Sequence, residues 1–472
     1  MGLQDIAQDL AHGVESRVAA VGEALFDPVI RLGVTGLARA GKTVFITSLV
    51  SNLLDRGRMP QLRAASEGRI EAVWLQPQPD DTVPRFDYEA HRAALTGDAP
   101  RWPDSTRAVS ELRLSFRIRP SGLFSGLRGV RKLHLDIIDY PGEWLLDLAL
   151  LEIGYQDWAT GVLNRFAKRP EAAGYMARVT ATDAGQPLDE VQAQGLAADY
   201  TACLVALRAA GLSDVTPGRF LMPGDLAGSP ALTFAPLPRP ESPVRGSLWR
   251  EMERRYDAYR SRVIKPFFRD HFSRIDRQVV LVDALGAIHA GPQAVEDMRR
   301  AMAGVLAAFR PGRSNPLTEL LFGKKVDRIL FAATRADHLH HSQHARLAAI
   351  LAAMLREAKD RADYAGANTA AMALASLRAT TEAEATQDGR RIEGVRGTLM
   401  DTGRQALMYA GDLPTDPGRL LSPAREGAER WLDADYSVMR FAPARMTLTP
   451  GEGLPHIRLD RAAEFLLGDQ LT

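Results

Sequence analysis

The chain has 472 residues, 46% of them hydrophobic and 25% charged, and its 59 Lys and Arg against 58 Asp and Glu leave a net charge of +1. This is the composition of an ordinary folded protein with one large domain and one or two smaller ones, without a global electrostatic pull toward nucleic acid or an anionic membrane. A single cysteine, Cys203, excludes an intramolecular disulfide framework, fits a reducing compartment and is expected to be a small packing residue in a helix.

In chain order, Ile6, Leu10, Val14, Val18, Val21 and Leu25 form an apolar stripe that predicts a helix within residues 1–30. Its polar side carries Asp5, Asp9, Glu15 and Glu23, which favours packing on the protein's own body over a membrane surface. No window approaches the roughly 18 uninterrupted apolar residues of a membrane span, and no charged-then-apolar leader is present. A cytoplasmic location follows as an expectation, with any contact to the inner membrane made through a partner.

Residues 33–48 read GVTGLARAGKTVFITS. Gly36, Gly41, Lys42 and Thr43 fill the phosphate-loop pattern G-x-x-x-x-G-K-[ST], behind a strand at 31–36 and ahead of a helix. The chemistry demands these types: glycine lets successive N–H groups turn toward phosphate oxygens, and the helix N-terminus adds its positive end. Gly36, Ala38, Arg39, Ala40, Gly41, Lys42, Thr43 and Val44 are therefore the expected cradle. Lys42 bridges the outer phosphates, the Thr43 hydroxyl ligates Mg²⁺, and Arg39 is a candidate cis charge on the transition state.

The stretch from Leu53 to Val109, rich in Pro, Asp and Arg, reads as irregular loop able to order around a ligand. Within it Thr82, Ser105 and Thr106 are candidates for a threonine that closes over Mg²⁺, with Thr106 favoured by its place just before the next strand. Residues 111–119 and 132–139 alternate as half-buried strands do. The second of them ends in Asp139, Tyr140, Pro141 and Gly142, a D-x-x-G in which Asp139 serves the metal and Gly142 lets a backbone N–H approach the terminal phosphate. Asp136, three residues earlier, and Asp283 are rivals for the metal. Glu143 stands where a side chain orients the attacking water.

Residues 145–277 form a second long interruption, helical at both ends with a Pro/Gly-rich centre. Its last 33 residues hold ten Arg or Lys against five Asp or Glu, but Leu248, Met252, Tyr256, Tyr259 and Val263 recur at helical spacing and predict a packed helix with a solvated basic face. Nearly continuous apolar runs at 278–284, 327–333 and 369–376, separated by helical stretches, imply a mainly parallel sheet covered on both faces. Thr334, Arg335 and Asp337 occupy the spacing of the guanine-recognition motif [NT]-K-x-D. The Asp337 carboxylate would accept from the guanine N1–H and exocyclic amine, and the Arg335 stem would lie over the base with its guanidinium toward solvent. Ala375, Ser376 and Leu377 resemble a loop that contacts guanine through backbone. His338, His340, His341 and His344 crowd the same region, and His340 with His344 has the spacing of a helical zinc pair, although no cysteine lies near. After residue 385 a small strand-containing module is expected.

With these residues in place, the sequence resembles the YcjX-like family of P-loop NTPases. The resemblance runs through GVTGLARAGKTVFITSLV, TGDAPRWPDSTRAVSELRL, DYPGEW, VDALGAIHAGPQAVEDMR, ATRADH and the C-terminal GLPHIRLDRAAEFLLGD, nearly the whole chain. It implies a three-layer α/β Ras-like G domain over residues 31–144 and 278–384, a mostly helical insertion at 145–277, and an α+β module at 385–472. It also implies GTP and GDP as ligands with Mg²⁺, GTP hydrolysis, and association with bacterial stress responses through a regulatory partner. The family commonly has Lys where this chain has Arg335. No second cis arginine can be placed from sequence, which predicts slow turnover, because GTPases lacking such a charge lose on the order of 10³ to 10⁵ in rate. An ATP-driven enzyme and a nucleotide-bound scaffold without turnover are the alternatives.

Overall fold

The computed structural model describes residues 27–36, 40–104, 108–120, 129–270, 274–307, 326–364, 366–387, 390–431 and 436–472. The expected helix at residues 1–26 lies outside these, as do Ala38, Arg39, Ser105 and Thr106.

A seven-stranded sheet organises the molecule. Its strands are β1 (Val29–Gly36), β2 (Ile70–Gln76), β3 (Ser110–Ile118), β4 (Arg131–Asp139), β5 (Arg277–Val282), β6 (Arg328–Ala333) and β7 (Asn368–Ala373), ordered β2-β3-β4-β1-β5-β6-β7. The pairs β4-β1, β1-β5, β5-β6 and β6-β7 are parallel, and β2-β3 and β3-β4 are antiparallel. The mainly parallel sheet expected from the apolar runs is present, with an antiparallel edge.

Side-chain parity along the central strands divides the core into two layers. Val279 and Leu281 of β5 and Leu330 and Ala332 of β6 join helix α1 (Lys42–Leu54) through Phe45, Ile46 and Leu49. Val280 and Val282, with Ile329, Phe331 and Ala333, point the other way into a second cluster. Successive residues of a strand face opposite sides, so a strand buried on both faces must be apolar at nearly every position.

The stretch 53–109 differs from the irregular loop expected of it. It contains β2, which pairs with β3 as the sheet edge, and helix α2 (Tyr88–Thr96), whose N-terminus is capped by the Asp87 side chain accepting from Ala90 N–H at 3.2 Å. The dense Pro, Asp and Arg around two short elements hid them, since an edge strand with one partner needs little apolar patterning. Strand β3 also departs from the half-buried reading, because all but one of its residues are buried. Its alternate polar positions are paired across the ladder: Arg113 clamps Asp136 at 2.6 and 2.9 Å, and Ser115 meets His134 at 2.7 Å. Alternation here marks buried polar pairs instead of a wet face.

After β4 come the short helix α3 (Glu143–Leu146) and then α4 (Tyr155–Phe166), α5 (Ala173–Thr180), α6 (Glu190–Ala209) and α7 (Leu248–Tyr259). An aromatic core joins them, with Trp158 stacked on Tyr256 at 4.9 Å and Phe234, Tyr155 and Tyr200 around it. Cys203 is buried in α6, where burial pushes its thiol up to about 11. The basic excess around α7 is largely matched: Arg254 and Arg255 pair with Glu251, Arg250 with Glu253 and Arg260 with Asp257. Helices α8 (Ala284–Ala290), α9 (Pro292–Ala307) and α10 (His344–Met354) follow β5 and β6.

A three-stranded antiparallel sheet, β8 (Thr381–Gln387), β9 (Arg390–Thr398) and β10 (Gln405–Met408), lies beyond β7. Residues 437–446 hold no strand, and Phe441 pairs with Leu399 through an isolated bridge. The last helix, α11 (Leu459–Leu467), returns to the main sheet, packs against β6 and joins the core layer of α1 through Leu459, Ala463 and Leu466. No helix among the described residues is long and apolar enough to cross a membrane.

Candidate functional site

A cleft of about 600 Å³ opens beyond the carboxyl ends of β1, β5, β6 and β7. In open parallel sheets this is the ligand edge, because loops there converge without crossing the strands. Residues 40–44, Asp283, Thr334, Arg335, Asp337 and Ala375–Leu377 all line it, although they span most of the chain.

The turn before α1 is set by Gly41, at φ 83°, ψ 29°, a left-handed conformation open to glycine at little cost. Gly36 has the other requirement, space: a Cβ there would lie 2.8 Å from the Leu281 carbonyl and 2.9 Å from Ala40 Cβ. Lys42 Nζ donates to the Gly36 carbonyl at 3.1 Å, so its ammonium lies folded across the turn. Thr43 is buried at the start of α1, and its carbonyl accepts from the Thr47 hydroxyl at 2.7 Å.

Asp139 ends β4 in register with Val34 of β1, two residues before Gly36. Gly142 has φ −64°, ψ −25°, which any residue adopts. Of the segment 139–143, Glu143 lines the cleft, buried and ion-paired with Arg208 of α6 at 2.8 Å. The rival Asp136 is fully occupied by its bidentate Arg113 pair inside the sheet. Thr82 folds onto Asp80 in an exposed turn and does not line the cleft.

The chain at 216–222 braces this segment. Gly218 and Arg219 N–H groups donate to Asp147 at 2.7 and 3.3 Å, and the Tyr259 hydroxyl donates to the same carboxylate at 2.6 Å. Burial raises Asp147 to about 6 against these three bonds. A Cβ on Gly218 would sit 1.9 Å from the Glu143 carbonyl oxygen, backbone against backbone. Gly218→Ala is therefore expected to destabilise the protein by about 1–3 kcal/mol, read as a lower urea midpoint. An unchanged midpoint would show that 143 and 218 do not hold this approach in solution.

On the far side of the cleft, Asp337 is buried. One oxygen accepts from Ala379 N–H at 2.9 Å and the other lies 3.4 Å from His338 Nδ1. Burial alone would push this carboxyl up, but His338 and the Ala379 amide outweigh it and hold Asp337 below the ordinary carboxylate value. Arg335 adopts φ 60°, ψ 34°, which costs a non-glycine residue of order 1 kcal/mol. Its guanidinium does not point freely to solvent as expected; it pairs with Asp283 at 3.1 Å. Asp283 in turn caps α8 by accepting from Gly286 N–H. Two backbone bonds tie the loops together, Ala336 N–H to the Leu374 carbonyl and Ala375 N–H to the Ile457 carbonyl, both at 3.1 Å.

His344 is not the zinc partner its spacing suggested: its Nε2 faces the Ala336 and Leu339 carbonyls, bracing the loop that carries Asp337. His340 and His341 instead approach Glu382. Sequence reasoning missed Arg208, Trp102, Met298, Met400 and Arg440, which also line the cleft. None belongs to a phosphate- or base-binding motif; only Trp102 and Met298, inside stretches quoted for the family resemblance, carried a signal at all.

The class of protein is thus a mixed α/β fold on a mostly parallel seven-stranded sheet, with a cleft at the carboxyl edge. The model of the YcjX-like family, DUF463, matches residues 30–471, and the chain belongs to that family. It is 38% identical over 462 residues to a protein of Escherichia coli named Ras-like GTPase YcjX, covering 94% of this chain and 96% of that one. A protein of Shewanella oneidensis with the same name is 34% identical over 497 aligned positions, covering all of both chains.

Proposed function

We propose that the protein binds guanine nucleotide with Mg²⁺ in this cleft, hydrolyses GTP slowly, and acts as a nucleotide-dependent switch in a bacterial stress or envelope process. The carrying observation is convergence: residues 40–44, Glu143, Thr334, Arg335, Asp337 and Ala375–Leu377, in the chain order of a Ras-like G domain, line one cleft. The names of the two relatives point the same way. In this reading residues 31–144 and 278–384 are the GTPase core, 145–277 the helical insertion and 385–472 the C-terminal module.

The residues suit the group. The Gly41 turn leaves open space where a side chain would stand, and Thr43 and Asp139 offer only oxygen donors, the set that Mg²⁺ takes. When bound, the ion neutralises charge on the outer phosphates. Lys42 would add its ammonium there, Asp337 would accept from guanine, and the 375–377 backbone would close the base side.

Titration with GDP, GTP and ATP, each with Mg²⁺ and with chelator, tests the reading. Binding of GDP and GTP that ATP does not displace is the expected result. Equal competition by ATP would favour the ATP-driven alternative, and tight binding without turnover a scaffold.

Glu143 is assigned to orienting the water. Glu143→Ala should leave GTP affinity within about twofold while slowing single-turnover hydrolysis on the order of 10²-fold, since water positioning acts mainly in the transition state. Equal rates for both proteins would remove Glu143 from the reaction.

A further inference from the structure

The contact between α6 and Glu143 adds chemistry that no nucleotide-binding motif contains. Arg208 stands in the last turn of α6, and its guanidinium meets Glu143 Oε1 at 2.8 Å. The Glu143 side chain is 4% exposed and that of Arg208 27%, so the pair is sheltered on the carboxylate side and open toward the cleft that both line with Lys42 and Thr43.

The surroundings make this a held geometry. Asp147, one turn beyond Glu143, is fixed by the Gly218 and Arg219 amides and the Tyr259 hydroxyl. Trp144, the immediate neighbour, donates from Nε1 to the Met222 carbonyl at 2.9 Å, and the Arg219 guanidinium lies 3.1 Å over its ring. Backbone and flanking side chains of 143–147 are thus set by residues 216–222 and 259, and the Glu143 carboxylate itself by Arg208. A buried carboxylate with one cationic partner has few other rotamers to occupy, and the contact here, one guanidinium nitrogen to one carboxylate oxygen, holds Glu143 toward α6 by charge.

We infer that Arg208 is a positioning residue for nucleotide hydrolysis: it holds the Glu143 carboxylate in the orientation that receives the attacking water. The inference rests on the GTP-hydrolysing reading above. In the step served, the water oxygen bonds to the terminal phosphorus, and the bond from that phosphorus to its bridging oxygen breaks with the electron pair leaving on GDP. The proton given up by water ends on the released phosphate. Arg208 transfers nothing; it keeps the orienting group in place, which makes α6 part of the hydrolytic site. Turnover stays slow because this arginine is engaged with a carboxylate and not with the phosphoryl group.

The test uses the full-length protein, GTP binding measured beside single-turnover hydrolysis, and four variants: Arg208→Ala, Arg208→Lys, Glu143→Ala and the Arg208→Ala/Glu143→Ala double. Arg208→Ala should slow hydrolysis by roughly 10- to 100-fold, the scale of a misplaced reacting group, with GTP affinity within about twofold. Arg208→Lys should recover part of the rate, and the double variant should match Glu143→Ala, since residues acting as one unit are not additive. A wild-type rate in Arg208→Ala would overturn the inference. So would a further loss in the double variant, which would assign the arginine to the phosphoryl group directly. Should Arg208→Ala fail to fold, Arg208→Gln, which keeps much of the side-chain length but not the charge, replaces it, and a wild-type rate there would overturn the inference equally. Failure of the wild-type protein to bind or hydrolyse GTP would instead overturn the underlying reading.

Discussion

Replacing Lys42 with alanine is expected to weaken GTP and GDP binding by roughly 10- to 100-fold, the loss of one charge-assisted contact to the outer phosphates. The lysine begins α1 immediately after the left-handed Gly41, and its ammonium already lies across the turn on the Gly36 carbonyl at 3.1 Å. It is half-buried, so the fold should survive its removal, and circular dichroism with thermal unfolding checks this. Thr43→Ala should behave differently: binding persists, but the difference between Mg²⁺ and chelator collapses, because only an oxygen donor to the ion is lost. Unchanged GTP affinity in Lys42→Ala together with an unchanged Mg²⁺ effect in Thr43→Ala would sink the phosphate-loop assignment.

Asp337→Asn is expected to relax base discrimination and admit xanthine nucleotides, whose base presents an acceptor where guanine presents a donor. The geometry makes the variant tolerable, because an asparagine carbonyl can keep the 2.9 Å bond from Ala379 N–H. It replaces a charged acceptor with a neutral one, so a stability loss of about 1–3 kcal/mol should accompany the switch. The pH dependence has a definite sign. The folded Asp337 carboxyl lies below its ordinary value, so its contribution to stability is fully present above that value and is lost as pH falls through the folded one. Selectivity for guanine should therefore hold from neutrality down to the ordinary carboxylate range. Competition between GTP, XTP and ATP decides the matter: if the variant keeps the wild-type margin, Asp337 does not read the base.

What the sequence determined by itself was the periodic part of the molecule and the local turn chemistry. The six strands it predicted are all strands of one mainly parallel sheet, because Val279 to Val282 or Ile329 to Ala333 must be apolar at every position to be buried on both faces. The Gly36 to Thr43 spacing was legible for a similar reason: a left-handed turn and a close strand approach each exclude most side chains. Order along the chain then placed the loops at 334–337 and 375–377 on the same sheet edge as 40–44. The tertiary structure alone decided what depends on distant pairing. Strand β2 and helix α2 exist because β3 offers an edge and Asp87 a cap, not because their own residues are strongly patterned. The Arg113–Asp136 clamp, the turn of Arg335 onto Asp283, and the return of α11 to β6 join residues tens or hundreds apart. The meeting of Arg208 with Glu143 is of the same kind: they stand sixty-five positions apart with two helices, α4 and α5, between them, and an ion pair between such positions leaves no local signal, since neither propensity nor spacing constrains which arginine arrives.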